Sequence, residues 1–310
     1  IKGEMLVGFL VAASGYVMKI MDHVSQINNL LFQMQQQIVA GDKIMRFMDC
    51  KTKIKDGKKT AKDIDKPDIE FENVTLELGG KKVLDNINLS IPYGKKVGIV
   101  GATGSGKSIL LKSIVRVNDV NDGQIKMNGT NVKEYKTAEL REKISYVFQD
   151  AFLFSNTIDS NIAFSNPDVD ERRVRECAKR AMADDFINEL SDGYQTIVGE
   201  KGFGLSGGQK QRVSIARAML KDAPVFVFDD STSALDAETE RKLLENLMTY
   251  YKERTILIAA HKMSSVVDCD EIIYLSNGKI VERGTFDELM ELDGHFAGVY
   301  KTQMAKQTVA

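Results

Sequence analysis

The 310-residue sequence predicts an α/β fold with a mixed, largely parallel central sheet, an antiparallel β subdomain and a helical subdomain, preceded by a long N-terminal helix. Three observations carry that prediction. Continuous apolar runs such as Val225-Phe226-Val227-Phe228 mark strands buried on both faces. Such runs alternate with helical patterns, which gives a sheet covered by helices. Between the strand Val97 to Val100 and a helix through Ile109, Leu110, Leu111, Ile114 and Val115 stands Gly101-Ala102-Thr103-Gly104-Ser105-Gly106-Lys107-Ser108. Its spacing, G-x-x-x-x-G-K-S, is that of a phosphate-binding loop.

Composition allows one or two ordinary cores, with 43% of residues hydrophobic. Lys+Arg number 42 against 44 Asp+Glu, a formal net charge of −2. Charge therefore gives no reason to expect nucleic acid as a partner. Cys50, Cys177 and Cys269 are scattered and read as reduced thiols in a cytosolic setting. His23 and His295 have no ligand-like company.

In order, the chain opens at Ile1 rather than Met, which suggests a cut from something longer. Met5 to Ile20 is almost wholly apolar, but its 16 residues fall short of the roughly 20 that span a bilayer. Ala12-Ala13-Ser14 resembles a signal-peptide cleavage site, yet a nucleotide-dependent protein belongs where ATP is. The pattern also continues unbroken. Ile27, Leu30, Leu31, Met34, Ile38, Ile44, Met45 and Met48 recur at helical spacing, predicting one long helix, apolar first and amphipathic later. Residues 1–50 read as the end of a transmembrane domain running into the cytoplasm; a soluble coiled arm is the alternative. Lys51 to Lys66 is crowded with lysine and reads as a solvated linker, able to meet anionic headgroups or serve as a plain spacer. The globular domain is expected from Pro67 to the end, 67–310.

Asp68 to Leu78 and Lys82 to Ile91 alternate as strands around a Gly79-Gly80 turn. Gln124 to Met127 and Ile144 to Val147 read as further strands. The block 156–213 is a helical subdomain, with Glu171 to Met182 its clearest helix. After Val225 to Phe228 come a helix at Ala237–Tyr251, strands at Thr255–Ala259, Glu271–Leu275 and Lys279–Glu282, and two short closing helices.

The glycines of the loop let successive N–H groups turn inward on phosphate oxygens, and the following helix adds its positive end. Lys107 reaches for the β- and γ-phosphates and Ser108 for Mg²⁺. Asp229 ends a buried strand, so its carboxylate emerges at the sheet edge, where Mg²⁺ compensates it. Gln149 offers a carbonyl to the same cation or to the attacking water. His261 follows a strand and can donate to the γ-phosphate. Ser206 reads as the N-cap of a helix through Leu220, whose N–H groups aim at an anion with no source in one chain. A capped surface helix is the plainer reading, but it leaves Gly207 and Gly208 unexplained.

Leu205-Ser206-Gly207-Gly208-Gln209 resembles the LSGGQ signature of the ABC ATPases, and other family motifs stand around it in the family's order. Tyr146-Val147-Phe148-Gln149-Asp150 resembles the Q-loop, and Gly199-Glu200-Lys201-Gly202 the exporter loop before the signature. Phe226-Val227-Phe228-Asp229-Asp230 resembles Walker B, Ser233-Ala234-Leu235-Asp236 the D-loop, and Ala260-His261-Lys262 the switch-histidine segment. The match runs from about Pro67 to the end, and the N-terminal helix resembles the last membrane helix of an exporter half.

The resemblance implies an ATPase using ATP and Mg²⁺, with Lys107, Gln149, Asp230 and His261 serving catalysis. It places Leu78, Val83, Gly101, Thr103, Gly104, Ser105, Gly106, Lys107, Ser108, Ile109, Gln149, Asp229 and His261 around the nucleotide, and Ser108, Gln149 and Asp229 at the metal. It also implies a head-to-tail pair in which Ser206, Gly207, Gly208, Gln209 and Asp236 close on the ATP of a second half-transporter. Its own transmembrane domain and a membrane are further partners, with the ATPase on the cytoplasmic side.

Two positions depart from the family. Asp230 stands where glutamate is usual, one methylene short for a base that needs heavy-atom contact of roughly 2.6–3.2 Å. Leu78 stands where an aromatic usually stacks on adenine, a contact worth roughly 1–3 kcal/mol per base in nucleic-acid sites. Both weaken the same site while the signature stays intact. That asymmetry resembles the degenerate half of a heterodimeric exporter, whose signature completes the partner's site; a homodimer is the alternative. A soluble ABC ATPase acting on chromosomes or ribosomes is a third reading, which the apolar Met5–Ile20 run opposes.

Overall fold

The computed structural model describes residues 2–50, 52 and 54–309. Ile1, Lys51 and Lys53, at the chain's opening and in the lysine-rich stretch, lie outside the described residues. The chain divides into two compact units, residues up to 53 and residues from 54 onward. The first is a single helix, α1 (Lys2–Met48). Its 47 residues make a rod of about 70 Å at 1.5 Å per residue. Because the helix does not stop at Ile20, it offers more than the apolar opening alone. It is long and apolar enough to cross a membrane, with mean hydropathy 1.2 over its best window.

The second unit begins with a hairpin, β1 (Ile69–Leu78) and β2 (Lys81–Ile91). Then follow β3 (Lys96–Val100), α2 (Lys107–Ile114), β4 (Asp122–Met127), β5 (Thr130–Asn131), α3 (Thr137–Glu142) and β6 (Ile144–Val147). The helical block contains α4 (Ile158–Ile162), α5 (Glu171–Arg180), α6 (Asp184–Glu189) and α7 (Gly207–Lys221). The chain closes through β7 (Val225–Asp229), α8 (Ala237–Tyr250), β8 (Thr255–Ala259), β9 (Glu271–Ser276), β10 (Lys279–Gly284), α9 (Phe286–Leu292) and α10 (His295–Val309). β5 and α3 are too short and polar to have stood out in the sequence.

Two sheets result. The antiparallel one has the order β2-β1-β4-β5, and the central one β10-β9-β3-β8-β7-β6, parallel except for the β9–β10 hairpin. Side chains alternate strictly across the central sheet, as the period of two demands. Phe226, Phe228, Ile256, Ile258 and Ile272 face one core with helices α5 and α7. Val225, Val227, Leu257, Ala259 and Ile273 face the other, with α2 and the antiparallel sheet. This parity decides where strand ends deliver functional groups.

The lysine-rich stretch is not a free linker along its whole length. The Gly57 and Lys59 amides donate to Tyr135 and Glu134 carbonyls at 3.1 and 2.8 Å. Thr60 Oγ1 and the Ala61 amide donate to Glu139 Oε2 at 2.6 and 3.0 Å, and Ala61 is fully buried. The packed body therefore begins before Pro67. Lysine content hid this because backbone groups carry much of the attachment, joined by the Asp56, Lys59 and Thr60 side chains.

Arg116 is the largest charged side chain in the interior, 2% exposed. It donates twice to Asp119, at 2.9 and 3.0 Å, and to the Lys55 carbonyl at 2.9 Å. Asp119 keeps some access to water, so the loss of Arg116 is felt mainly at the carbonyl it serves. Arg116→Met is expected to destabilise the second unit by roughly 1–3 kcal/mol, read as a lowered urea midpoint.

Candidate nucleotide site

The loop 101–106 turns between β3 and α2 and is pinned by its surroundings. Gly106 sits at φ 110 as the N-cap of α2. A Cβ there would lie 2.7 Å from the Val83 carbonyl oxygen, so β2 is pressed against the loop and only glycine fits. Val83 and Ile109 pack at the edge of the same core, whereas Leu78 is exposed at the end of β1 beside the Gly79-Gly80 turn. Thr103 and Gly104 are exposed at the loop's crest.

The Lys107 side chain is buried, and its ammonium donates to the Gly101 and Ala102 carbonyls at 2.7 and 3.1 Å. Burial pulls its pKa down, while Asp230 and Asp229 push it back. Among the described residues the buried Ser105 hydroxyl has no partner. A desolvated ammonium held only by carbonyls, beside an orphan hydroxyl, is a cradle that an anion completes.

Asp229 is the last residue of β7 and is completely buried. Counting by twos from Val225 and Val227 puts it on the face of α2. There Ser108 Oγ donates to Oδ1 at 2.6 Å, the Tyr146 hydroxyl donates to Oδ2 at 2.9 Å, and Lys112 Nζ stands 3.9 Å from Oδ2. Burial, then the Asp229 charge, raises the Tyr146 phenol above its ordinary value. Tyr146 and Lys112 were given no role from the sequence, although both were findable. Tyr146 shares the parity of Ile144 on the neighbouring strand, and Lys112 follows Ser108 by four residues on one helix face.

Asp230 leaves the strand with φ 48, a left-handed conformation that aspartate tolerates better than most residues. Its amide donates to the Ala259 carbonyl at 2.8 Å. Gln149 Nε2 lies 3.4 Å from Asp230 Oδ2. Gln149 therefore meets Asp230, not the Ser108–Asp229 pair with which it was grouped. Burial raises the Asp230 pKa against the pull of His261 and Lys107.

The signature lies on another element. Ser206 caps α7, accepting from the Gln209 amide at 3.3 Å while Gln209 Oε1 accepts from the Ser206 amide at 2.9 Å. Gln209 thus folds back to close a capping box. A Cβ on Gly208 would stand 2.9 Å from the Ala234 carbonyl oxygen, so this glycine has a packing reason inside its own chain. Gly207 meets only ordinary contact with Ala234. Gln211, unremarked in the sequence, bonds Ser233 Oγ at 3.3 Å and the Ala234 amide at 3.0 Å. Asp236 caps α8 through the Thr239 amide at 2.9 Å.

A strand-to-helix phosphate loop, a buried carboxylate behind it and a capped glycine helix at 207 form one arrangement, and comparison gives it a family. Residues 84–233 match the family model described as ABC transporter. The chain carries an ABC transporter ATPase domain. It is 38% identical over 308 residues to the ATP-dependent lipid A-core flippase of Salmonella typhimurium, covering 98% of this chain and 52% of that protein. The flippase of the same description from Escherichia coli is 38% identical over 306 residues, with the same two coverages. A bacterial Atm1-family ABC exporter with ATP bound superposes with TM-score 0.82 at 33% identity, over 87% of this chain and 48% of that one. The chain thus spans about half the length of the relatives it matches. ATP binding follows from the domain.

Two outcomes follow. Lys107→Ala removes the buried ammonium and is expected to weaken ATP binding at least about tenfold in a direct titration; unchanged affinity would refute the cradle. The second concerns Asp230, whose folded pKa lies above the value of 3.8 it has when unfolded. Its ionisation therefore costs stability, fully above the folded pKa and not at all well below 3.8. Nucleotide-free Asp230→Asn keeps an acceptor and tolerates φ 48. It is expected to melt higher than the parent at pH 7, with the gain shrinking as pH falls toward 3.8.

Proposed function

We propose that this domain binds and hydrolyses ATP with Mg²⁺ and, paired head to tail with a second half-transporter, drives export across a membrane. The observation that carries the reading is the 2.6 Å contact between Ser108 and the fully buried Asp229, beside the Lys107 cradle. Hydroxyl and carboxylate oxygens are the hard donors Mg²⁺ takes. Among the described residues no group of three or more His, Cys, Asp or Glu makes a metal site alone, which suits an ion completed by phosphate oxygens. Ser108 and Asp229 would hold it, and when bound it neutralises charge on the β- and γ-phosphates.

The remaining roles fall to the chain's own groups. Loop amides and Lys107 bind the phosphates, Ser105 adds a donor, and His261 reaches the γ-phosphate. Asp230, with Gln149 against it, orients the attacking water and receives its proton. The N–H groups at the start of α7 serve an ATP held by the partner. α1 supports placement at a membrane as the end of a transmembrane domain, with the ATPase on the cytoplasmic side. Phe148, Phe152, Phe154 and Phe164 are exposed on the ATPase unit, with Phe154 stacked on Phe164 at 4.5 Å.

A second reading rests on Asp230. Its side chain is a methylene shorter than glutamate, its backbone is left-handed, and its carboxylate already meets Gln149 at 3.4 Å. Such a group is poorly free to meet water, as in the regulatory half of a heterodimer. Asp230→Glu is not a pure gain of reach, because glutamate fits φ 48 less well. In the assembled transporter, Ser206→Arg is expected to abolish most ATPase activity and Asp230→Asn to leave the larger part. If the transporter is a homodimer and Asp230→Asn silences it, Asp230 is the working carboxylate and the regulatory reading fails.

A further inference from the structure

The closing helix α10 carries a polar residue where its pattern calls for an apolar one. Phe296, Val299, Tyr300 and Gln303 share one face by the i, i+3, i+4, i+7 rule. Phe296 is fully buried, and Val299 and Tyr300 pack against the same core. The register of this helix is fixed at its start, where the Glu282 carboxylate accepts the His295 and Phe296 amides at 2.5 and 2.9 Å. Lys301 adds an ion pair to Asp293 at 2.7 Å. Gln303 is thereby delivered to a defined place, which is the segment carrying His261.

There its amide is used at both ends. Nε2 donates to the His261 carbonyl at 2.9 Å, and Oε1 accepts from the Met263 amide at 2.9 Å. The side chain imitates a neighbouring strand, taking the acceptor of one residue and the donor two further on. Lys262, between them, turns the other way, with Nζ 2.8 Å from Glu240 Oε2 and 3.2 Å from the Leu235 carbonyl. The segment 261–263 is therefore held on one side by Gln303 and on the other by Lys262, with the His261 carbonyl and the Met263 amide both taken.

We propose that Gln303, on the C-terminal helix, is a positioning residue for His261, so that seating of this helix governs the site's grip on the γ-phosphate. The proposal rests on the reading of His261 as a γ-phosphate ligand. A residue serving only to dock the helix would affect every nucleotide alike. One that aims His261 affects ATP and leaves ADP alone, because only ATP carries the γ-phosphate.

The experiment uses the full-length transporter, with EDTA present so that ATP is bound and not consumed. Gln303→Leu removes both hydrogen bonds, and Gln303→Glu keeps the acceptor but sets a carboxylate against the His261 carbonyl. Two quantities are read: deuterium uptake across residues 261–266, and the ratio of ATP to ADP affinity. Both variants are expected to speed uptake in that segment about tenfold and to lower the affinity ratio roughly three- to tenfold. ADP affinity stays within about twofold, and the double variant His261→Ala/Gln303→Leu lowers the ratio no further than His261→Ala. Unchanged uptake in either variant overturns the proposal, as does an equal fall in ATP and ADP affinity. If His261→Ala alone leaves the ratio at the parent value, the γ-phosphate role of the histidine is what fails. Uptake then decides the role of Gln303 by itself.

Discussion

A carboxylate with no access to water sits at the end of β7 in the central sheet, and the site is arranged to make that tolerable. An uncompensated ion in such a place costs several kcal/mol even after relaxation. Asp229 avoids the cost by meeting a hydroxyl on one oxygen and a phenol and an ammonium on the other. Those three groups come from α2 and β6, so satisfying one charge fixes the phosphate loop's helix against two adjacent strands. The same charge tempers the desolvation of Lys107, together with Asp230. Fold and site are joined here: the helix that follows the glycine loop is the one that supplies Ser108 and Lys112.

This explains which parts of the molecule were legible in the sequence. Strand parity was, because Val225 to Asp229 alternates without interruption between two cores. The phosphate loop was, because its glycines and Lys107 are required by backbone geometry within a few residues. Tyr146 was not given a role, because its partner lies 83 residues away and only the β6–β7 register brings the two together. Glu139, which fastens Thr60 and Ala61, was hidden for the same reason. Composition reported lysines in that stretch, whereas what holds it is mostly backbone. Gly208 was legible as a glycine needing a cause, but the cause was assigned to a ligand when much of it is the nearby Ala234 carbonyl.

The left-handed Asp230 is where local and functional demands meet. The chain must turn immediately after Asp229, and aspartate is among the few residues with side chains that accept φ 48 at modest cost. Glutamate would extend further but sit less easily. The shorter carboxylate also stays close to the strand, where Gln149 meets it. Its departure from the family is therefore consistent with the backbone, and reach alone does not describe it.

Coupling between the site and the signature has a physical route in this fold. Gln211, on the signature helix, bonds Ser233 and Ala234 in the segment that follows Asp230. Buried Glu240 then gathers Thr232 at 2.6 Å, Ser265 at 2.7 Å and Lys262 at 2.8 Å, joining that segment to the one bearing His261. A buried carboxylate with every oxygen engaged cannot release one partner without exposing the others to an unpaired charge. The segments 230–236 and 261–265 therefore share one buried hub. A contiguous chain of this kind is a condition for transmitting the state of the phosphate site to α7, and it becomes transmission only if the ensemble has two arrangements that ATP distinguishes.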